Sequence, residues 1–209
     1  MKRTHALNDS YTFLALGDSY TIGEGVDASE RWPVQLAERL RENGVDVADP
    51  DIIAQTGWTT NELRDAIRDS GNRKTYDLVS LLIGVNNQYR GRSLNRYRTD
   101  FQQLLRTAIA FADGNPGRVF VLSIPDWGVS PFARRRNRPK IAAEIDAVNA
   151  TAQDECRKAG IAYVDITPLS RQALVDAQFT ADGLHYSGEH MRQWVELALP
   201  IVKGLLEKR

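Results

Sequence analysis

Short apolar runs alternate with longer amphipathic stretches along the chain, the pattern of a parallel sheet covered by helices. Five runs read as strands, at 12–16, 51–54, 77–83, 118–124 and 162–165. Val79, Leu81, Leu82 and Ile83 are nearly uninterrupted, as expected of a strand buried on both faces. Between the strands the apolar period lengthens. Pro33 suits a first helical position, and Val34, Leu36, Ala37 and Leu40 follow at helical spacing. Thr59 with Glu62 forms a capping-box pattern ahead of Leu63, Ala66 and Ile67. Tyr97, Phe101, Leu104, Leu105 and Ala108 make one stripe over 94–111, which Gly114-Asn115-Pro116-Gly117 ends. A further helix over 139–159 turns Ile141, Ile145, Val148 and Ala152 inward. Ser187 is placed to cap the last helix, whose expected core face is Trp194, Val195, Ala198 and Ile201.

These elements predict an α/β fold, a three-layer α/β/α sandwich with a five-stranded, mainly parallel sheet joined by right-handed crossovers. At 209 residues, one domain spanning 1–209 is the expectation, with residues 1–10 a mobile start. No repeat, low-complexity segment or linker interrupts it. In open sheets of this kind ligands bind beyond the carboxyl ends of the strands. Ser19, Gly57, Asn86 and Trp127 all fall just past predicted strand ends, and so onto one rim.

Charge and composition narrow the classes. Lys plus Arg and Asp plus Glu both total 27, so no bulk pull toward nucleic acid is expected. One cysteine, Cys156, excludes an intramolecular disulfide framework and suits a reducing compartment; its plain reading is a packing or surface residue. Residues 1–10 are polar, the apolar run after them is too short for a signal segment, and no stretch approaches a membrane span. The expected location is cytoplasmic, without integral membrane contact.

The candidate chemistry lies at both ends of the chain. Gly17-Asp18-Ser19 follows the first apolar run and precedes Gly23 and Gly25; Asp182-Gly183-Leu184-His185 sets an acid three residues before an imidazole. A serine hydroxyl becomes a nucleophile when a base takes its proton, and an imidazole held by a carboxylate is such a base. Each residue alone has a plainer reading: Ser19 as a turn serine, Asp182 as half of an Asp-Gly turn, His185 as a polar residue near a helix start. Of the other histidines, His5 lies in the chain start and His190 inside the last helix. Gly57 can offer an unshielded backbone N–H and Asn86 a side-chain amide to a developing oxyanion. Trp58 and Trp127 are candidate walls of a substrate pocket, although packing explains them as well. Arg134, Arg135, Arg136, Arg138 and Lys140 form a basic segment near the same rim, either a solvated loop or an attractor for an anionic substrate.

Together these blocks resemble the SGNH, or GDSL-type, hydrolases, named for the serine, glycine, asparagine and histidine of four spaced blocks. Ser19 stands in Gly-Asp-Ser-Tyr-Thr-Ile-Gly-Glu-Gly, Gly57 in Thr-Gly-Trp-Thr-Thr, Asn86 in Gly-Val-Asn-Asn and His185 in Asp-Gly-Leu-His. The resemblance implies the flavodoxin-like fold of that family, with Ser19 as nucleophile, His185 as base and Asp182 orienting it. It also implies an oxyanion hole from the Ser19 N–H, the Gly57 N–H and the Asn86 amide. Tyr20 and Asn87 depart from the leucine and aspartate often found at those positions. Thr21 breaks the Gly-x-Ser-x-Gly elbow of α/β-hydrolases. The implied activity is hydrolysis of a small-molecule carboxylic ester or thioester. Short-chain acyl esters, cleaved through an acyl-enzyme on Ser19, are the expected substrates. No metal or cofactor is expected, because the catalytic set reads without a ligand motif. Lysophospholipids and sugar acetates are among the candidate substrates. Two other classes stay open: a metal-assisted phosphoesterase using Asp18, Asp182, His185 and His190, and a non-catalytic flavodoxin-like binding module. Neither a compact metal-ligand motif nor a phosphate-cradling glycine loop supports them.

Overall fold

The computed structural model describes residues 10–173 and 175–207. Most of the expected mobile start, including His5, lies outside them. Five parallel strands, β1 (Phe13–Gly17), β2 (Asp51–Ala54), β3 (Leu78–Leu82), β4 (Val119–Leu122) and β5 (Ala162–Val164), form one sheet in the order β2-β1-β3-β4-β5. All five predicted strands are present, with no end shifted by more than two residues. Every residue of β1, β3 and β4 is buried, whereas the edge strands β2 and β5 are half-covered. That difference accounts for the unbroken apolar runs in the central strands alone.

The strands are linked by α1 (Ser19–Ile22), α2 (Trp32–Glu42), α3 (Thr60–Asp69), α4 (Val85–Tyr89), α5 (Leu94–Phe111), α6 (Arg138–Ala159) and α7 (Thr167–Ser170), and α8 (Gly188–Glu207) closes the fold. Helix α2 packs on α8, and α5 lies between α3 and α6, so helices cover both faces of the sheet. The predicted stripe of α5 is buried as expected, as are Ile141, Ile145, Val148 and Ala152 of α6. Cys156 is also buried on α6, and burial pushes its thiol up to about 12, which makes it a packing residue rather than a reactive one. The capping box appears as Glu62 accepting both the Thr59 N–H (2.8 Å) and the Thr59 hydroxyl (2.7 Å). Ser187 Oγ accepts the His190 N–H at 3.3 Å at the start of α8. One expectation fails on α8. Its buried stripe is centred on Met191, Val195, Ala198 and Val202, which leaves Ile201 at the margin and 37% exposed.

This strand order reverses direction between β1 and β3: the chain leaves β1 toward β2 on one side, then returns past β1 to β3. The crevice beyond the carboxyl ends of these two strands is the topological switch point, where sheets of this type bind ligands. Among the described residues no helix is long and apolar enough to cross a membrane.

Candidate active site

Strand β1 ends at Gly17, a position where nothing larger fits. A Cβ on Gly17 would lie 2.6 Å from the Leu82 carbonyl of β3 and would clash with Thr21 Oγ1. The backbone then turns at once into α1. Asp18 caps that helix, its Oδ1 accepting the Tyr20 N–H at 3.1 Å, and Gly23 ends it in the left-handed conformation (φ 71°). Ser19 is therefore the first helical residue, with an N–H that has no acceptor inside its own helix. Its side chain carries no hydrogen bond among the described residues, leaving the hydroxyl free to rotate.

The second component is a folded-back loop. Thr180 N–H bonds the His185 carbonyl (2.8 Å), Gly183 N–H bonds the Thr180 carbonyl (2.9 Å), and Gly183 takes φ 67°. Asp182 Oδ1 accepts the Leu184 N–H (2.8 Å), the His185 N–H (3.0 Å) and the Thr180 hydroxyl (2.8 Å). Its Oδ2 meets His185 Nδ1 at 2.5 Å. The turn and the acid–imidazole pair are thus one structure. Partial burial pushes the Asp182 carboxyl up. The hydrogen bonds from the His185 ring, the two backbone N–H groups and Thr180 outweigh that and hold it below the usual carboxylate range. An ionised carboxylate only accepts, so in the neutral imidazole the proton sits on Nδ1 and the lone pair on Nε2. Nε2 has no partner among the described residues. The His185 ring meets the Tyr20 ring edge-on with centroids 5.5 Å apart, which brings this loop against the turn that presents Ser19. The serine–histidine hydrogen bond itself is not formed, a common state before substrate binds.

Beyond β2, the turn at Gly57 has φ 86°, a conformation open to glycine and strained for other residues. Beyond β3, Asn86 Nδ2 donates to the Trp58 carbonyl at 3.0 Å. A carbonyl only accepts, so this bond fixes the amide's orientation and leaves the second N–H of Nδ2 available. Ser19, Gly57 and Asn86 thus follow the carboxyl ends of three adjacent strands, and the Asn86–Trp58 bond joins the last two of these segments. Trp58 there is half-buried. Trp127 is buried, donates its indole N–H to Gln88 Oε1 (2.8 Å) and packs against the exposed rings of Tyr89 and Phe132, which form the outer aromatic surface. In the basic segment, Arg134 pairs with Asp176 (2.9 Å), Arg136 lies over the Phe132 ring (5.4 Å) and Arg138 donates to the Gly128 carbonyl (2.6 Å).

The sequence reading missed a set of residues that hold these groups. Asn87, which departs from the family pattern, is buried and makes a two-point clamp on Thr60: it accepts the Thr60 N–H (3.1 Å) and donates to its hydroxyl (2.8 Å). Arg90 and Glu62 brace the same region. Such contacts join segments 27 or 28 residues apart and leave no local pattern to read.

The four residues of the phosphoesterase alternative do not converge. No group of three or more His, Cys, Asp or Glu side chains able to hold a metal occurs among the described residues. His190 instead stacks on Tyr186 (4.7 Å between centroids) inside the core, and neither of its ring nitrogens has a partner. Burial pushes its imidazole down to about 4. Asp18 is also fully buried, with Oδ2 unpartnered; burial pushes its carboxyl up to about 7 against the opposing Tyr20 N–H bond.

These two groups act oppositely on stability. Between about pH 6.5 and 4 the unfolded chain protonates His190 while the folded chain does not, so falling pH destabilises. Between about pH 7 and 3.8 the folded chain holds a proton on Asp18 that the unfolded chain lacks, so falling pH stabilises. In the wild type these two contributions oppose each other. Asp18→Asn is expected to uncover the histidine slope, a loss on the order of 3 kcal/mol from about pH 7 to 4. His190→Phe is expected to show the opposite trend over that range. Urea unfolding at a series of pH values checks this, and parallel slopes in the two variants would contradict it.

The sequence profile of the GDSL-like Lipase/Acylhydrolase family matches residues 15–192. A search of the curated proteins finds no match. Among solved structures, the chain is similar to TesA, with 22% identity, 93% of this chain and 99% of that one covered, and a TM-score of 0.72. It is similar to the lipase/acylhydrolase from Enterococcus faecalis, with 20% identity, 93% and 96% covered, and a TM-score of 0.69. An acetylxylan esterase from Geobacillus stearothermophilus shares 15% identity, with 92% and 94% covered and a TM-score of 0.69. At these identities the structures establish the fold, while the family match spans most of the chain and includes all four blocks read above. The chain belongs to the GDSL-like lipase/acylhydrolase family and is an ester-bond hydrolase.

Proposed function

We propose that the protein hydrolyses carboxylic esters with short acyl groups through an acyl-enzyme on Ser19. The observation that carries this reading is the Asp182–His185 contact at 2.5 Å, with the same imidazole packed against the residue after Ser19. His185 Nε2 takes the Ser19 proton as Oγ attacks the ester carbonyl, and Asp182 stabilises the imidazolium that forms. The oxyanion of the tetrahedral intermediate is held by the Ser19 N–H, the Gly57 N–H and the free Asn86 amide N–H. Collapse of the intermediate passes the proton from His185 to the departing alcohol. Water, activated by the same imidazole, then releases the acid and restores Ser19. The small-acyl preference is supported by likeness to an acetylxylan esterase, and lysophospholipids, sugar acetates and thioesters remain within the same chemistry.

A serine-directed fluorophosphonate tests this reading against metal-dependent chemistry. The expected result is one adduct per chain, on Ser19, with activity lost in proportion and unaffected by a chelator. Full activity after complete labelling, or activity lost to the chelator alone, would contradict the proposal. Among aryl esters the specificity constant is expected to be highest for acetyl and butyryl. A steady rise toward long acyl chains would overturn the short-acyl part.

A further inference from the structure

Two of the proposed oxyanion donors sit on segments that neither helix nor sheet holds together. Gly57 lies in the turn after β2, an edge strand, and Asn86 is the second residue of a five-residue helix after β3. Donors on such segments stabilise an oxyanion only if their separation is fixed beforehand, since reorganisation during the reaction would consume the gain.

Arg90 links the two. It follows directly after α4, and its backbone N–H bonds the Asn86 carbonyl at 3.0 Å, so its position is tied to that of Asn86. Its Nη2 donates to the Gly57 carbonyl at 2.6 Å, crossing from one donor segment to the other. Its Nη1 meets both oxygens of Glu62, at 3.1 and 3.2 Å. Glu62 in turn accepts the N–H and hydroxyl of Thr59, two residues past Gly57. The guanidinium thus grips the Gly57 turn directly and also through the cap of α3. The far side of the turn is fastened as well: Thr56 donates to Glu24, whose N–H bonds the Ser19 carbonyl (3.0 Å). The polar links run in order from the Ser19 turn through Thr56 and Gly57 to Arg90 and Asn86.

We propose that Arg90 is a positioning residue for the oxyanion hole, bracing the Gly57 turn against the helix that presents Asn86 so that both donors keep one separation. This rests on the reading of Gly57 and Asn86 as oxyanion donors. The Arg90 and Glu62 side chains are 40% and 39% exposed, so their ion pair adds little to stability and their effect is geometric. Arginine suits this bracing because its planar fork reaches a carbonyl and a carboxylate together, where a lysine supplies one point charge.

The test is steady-state kinetics on an aryl acetate for the wild type, Arg90→Ala, Arg90→Lys, Glu62→Gln, Asn86→Ala and the Arg90→Ala/Asn86→Ala pair. Thermal melts confirm that each folds. Arg90→Ala is expected to lower kcat about tenfold with KM little changed, because misplaced donors weaken only the transition state. Arg90→Lys should recover part of that loss. Glu62→Gln keeps an acceptor for the Thr59 cap but loosens Arg90, so a fall of a few-fold is expected. If Arg90 instead acted as a bare charge on the oxyanion, removing its counter-ion would raise kcat. In the Asn86→Ala background the Arg90 effect should shrink to about twofold or less, since both changes damage one donor set. The proposal is overturned by an Arg90→Ala kcat within twofold of wild type, by a loss confined to KM, or by an undiminished loss in the Asn86→Ala background. Should Arg90→Ala fail to fold, Arg90→Lys and Glu62→Gln decide it by the same criteria. An Asn86→Ala variant with nearly full activity would instead sink the oxyanion-hole reading beneath it, so the two failures are distinguishable.

Discussion

Ser19→Ala is expected to reduce ester turnover by roughly five to six orders of magnitude, to the level that binding and oxyanion stabilisation alone provide. The size follows from the mechanism. Without Oγ there is no acyl-enzyme, and the remaining donors can only polarise the carbonyl toward attack by water. The substitution is also structurally mild. The Ser19 side chain makes no hydrogen bond among the described residues, so truncation orphans no partner, and the N–H that caps nothing in α1 stays in place. Circular dichroism and the melting temperature should therefore match wild type while kcat collapses. Activity within a few-fold of wild type would remove Ser19 from the reaction.

Asn86→Ala carries the second-largest expected effect, a fall in kcat of about 10²–10³, or ~2.7–4 kcal/mol of transition-state stabilisation. Its amide nitrogen is already committed to one bond, 3.0 Å to the Trp58 carbonyl, so the side chain needs no reorientation when the oxyanion develops. The second N–H strengthens its interaction only as charge moves onto the carbonyl oxygen, so KM should change little. Truncation leaves the Trp58 carbonyl without that donor, but Trp58 is half-buried and water can replace it. Rates from initial velocities over a range of substrate concentration separate kcat from KM. A change of less than a few-fold in kcat would exclude Asn86 from the hole.

Much of this architecture was legible in the order of residues alone. The central strands announce themselves because burial on both faces demands apolar residues at nearly every position, as in Leu78–Leu82. The rim could be found because chain order and strand ends fix it: a serine two residues past β1 and an asparagine four past β3 must share a crevice once these strands are neighbours. Asp182 and His185 could be paired because an Asp-Gly turn returns the carboxylate to a ring three residues on. The bracing of the site was not legible. Arg90 carries no local signal, Glu62 reads only as the capping-box partner of Thr59, and Asn87 only as a departure from the family pattern, because their other partners lie far along the chain. The burial of Asp18 and His190 was equally hidden, since local sequence does not report how many neighbours surround a polar side chain. Ile201 was misplaced for a smaller reason: at the margin of a helical stripe, a residue's fate depends on the tilt of the helix against its neighbours.

The central claim is a covalent intermediate on Ser19, and trapping it is the most direct measurement. A p-nitrophenyl ester mixed with excess enzyme and quenched in acid within milliseconds should yield a chain heavier by one acyl group, with the adduct on the peptide containing Ser19. The adduct should decay at the rate of steady-state turnover or faster. Rapid hydrolysis with no adduct at any quench time, or an adduct on another residue that turns over at the catalytic rate, would contradict the account.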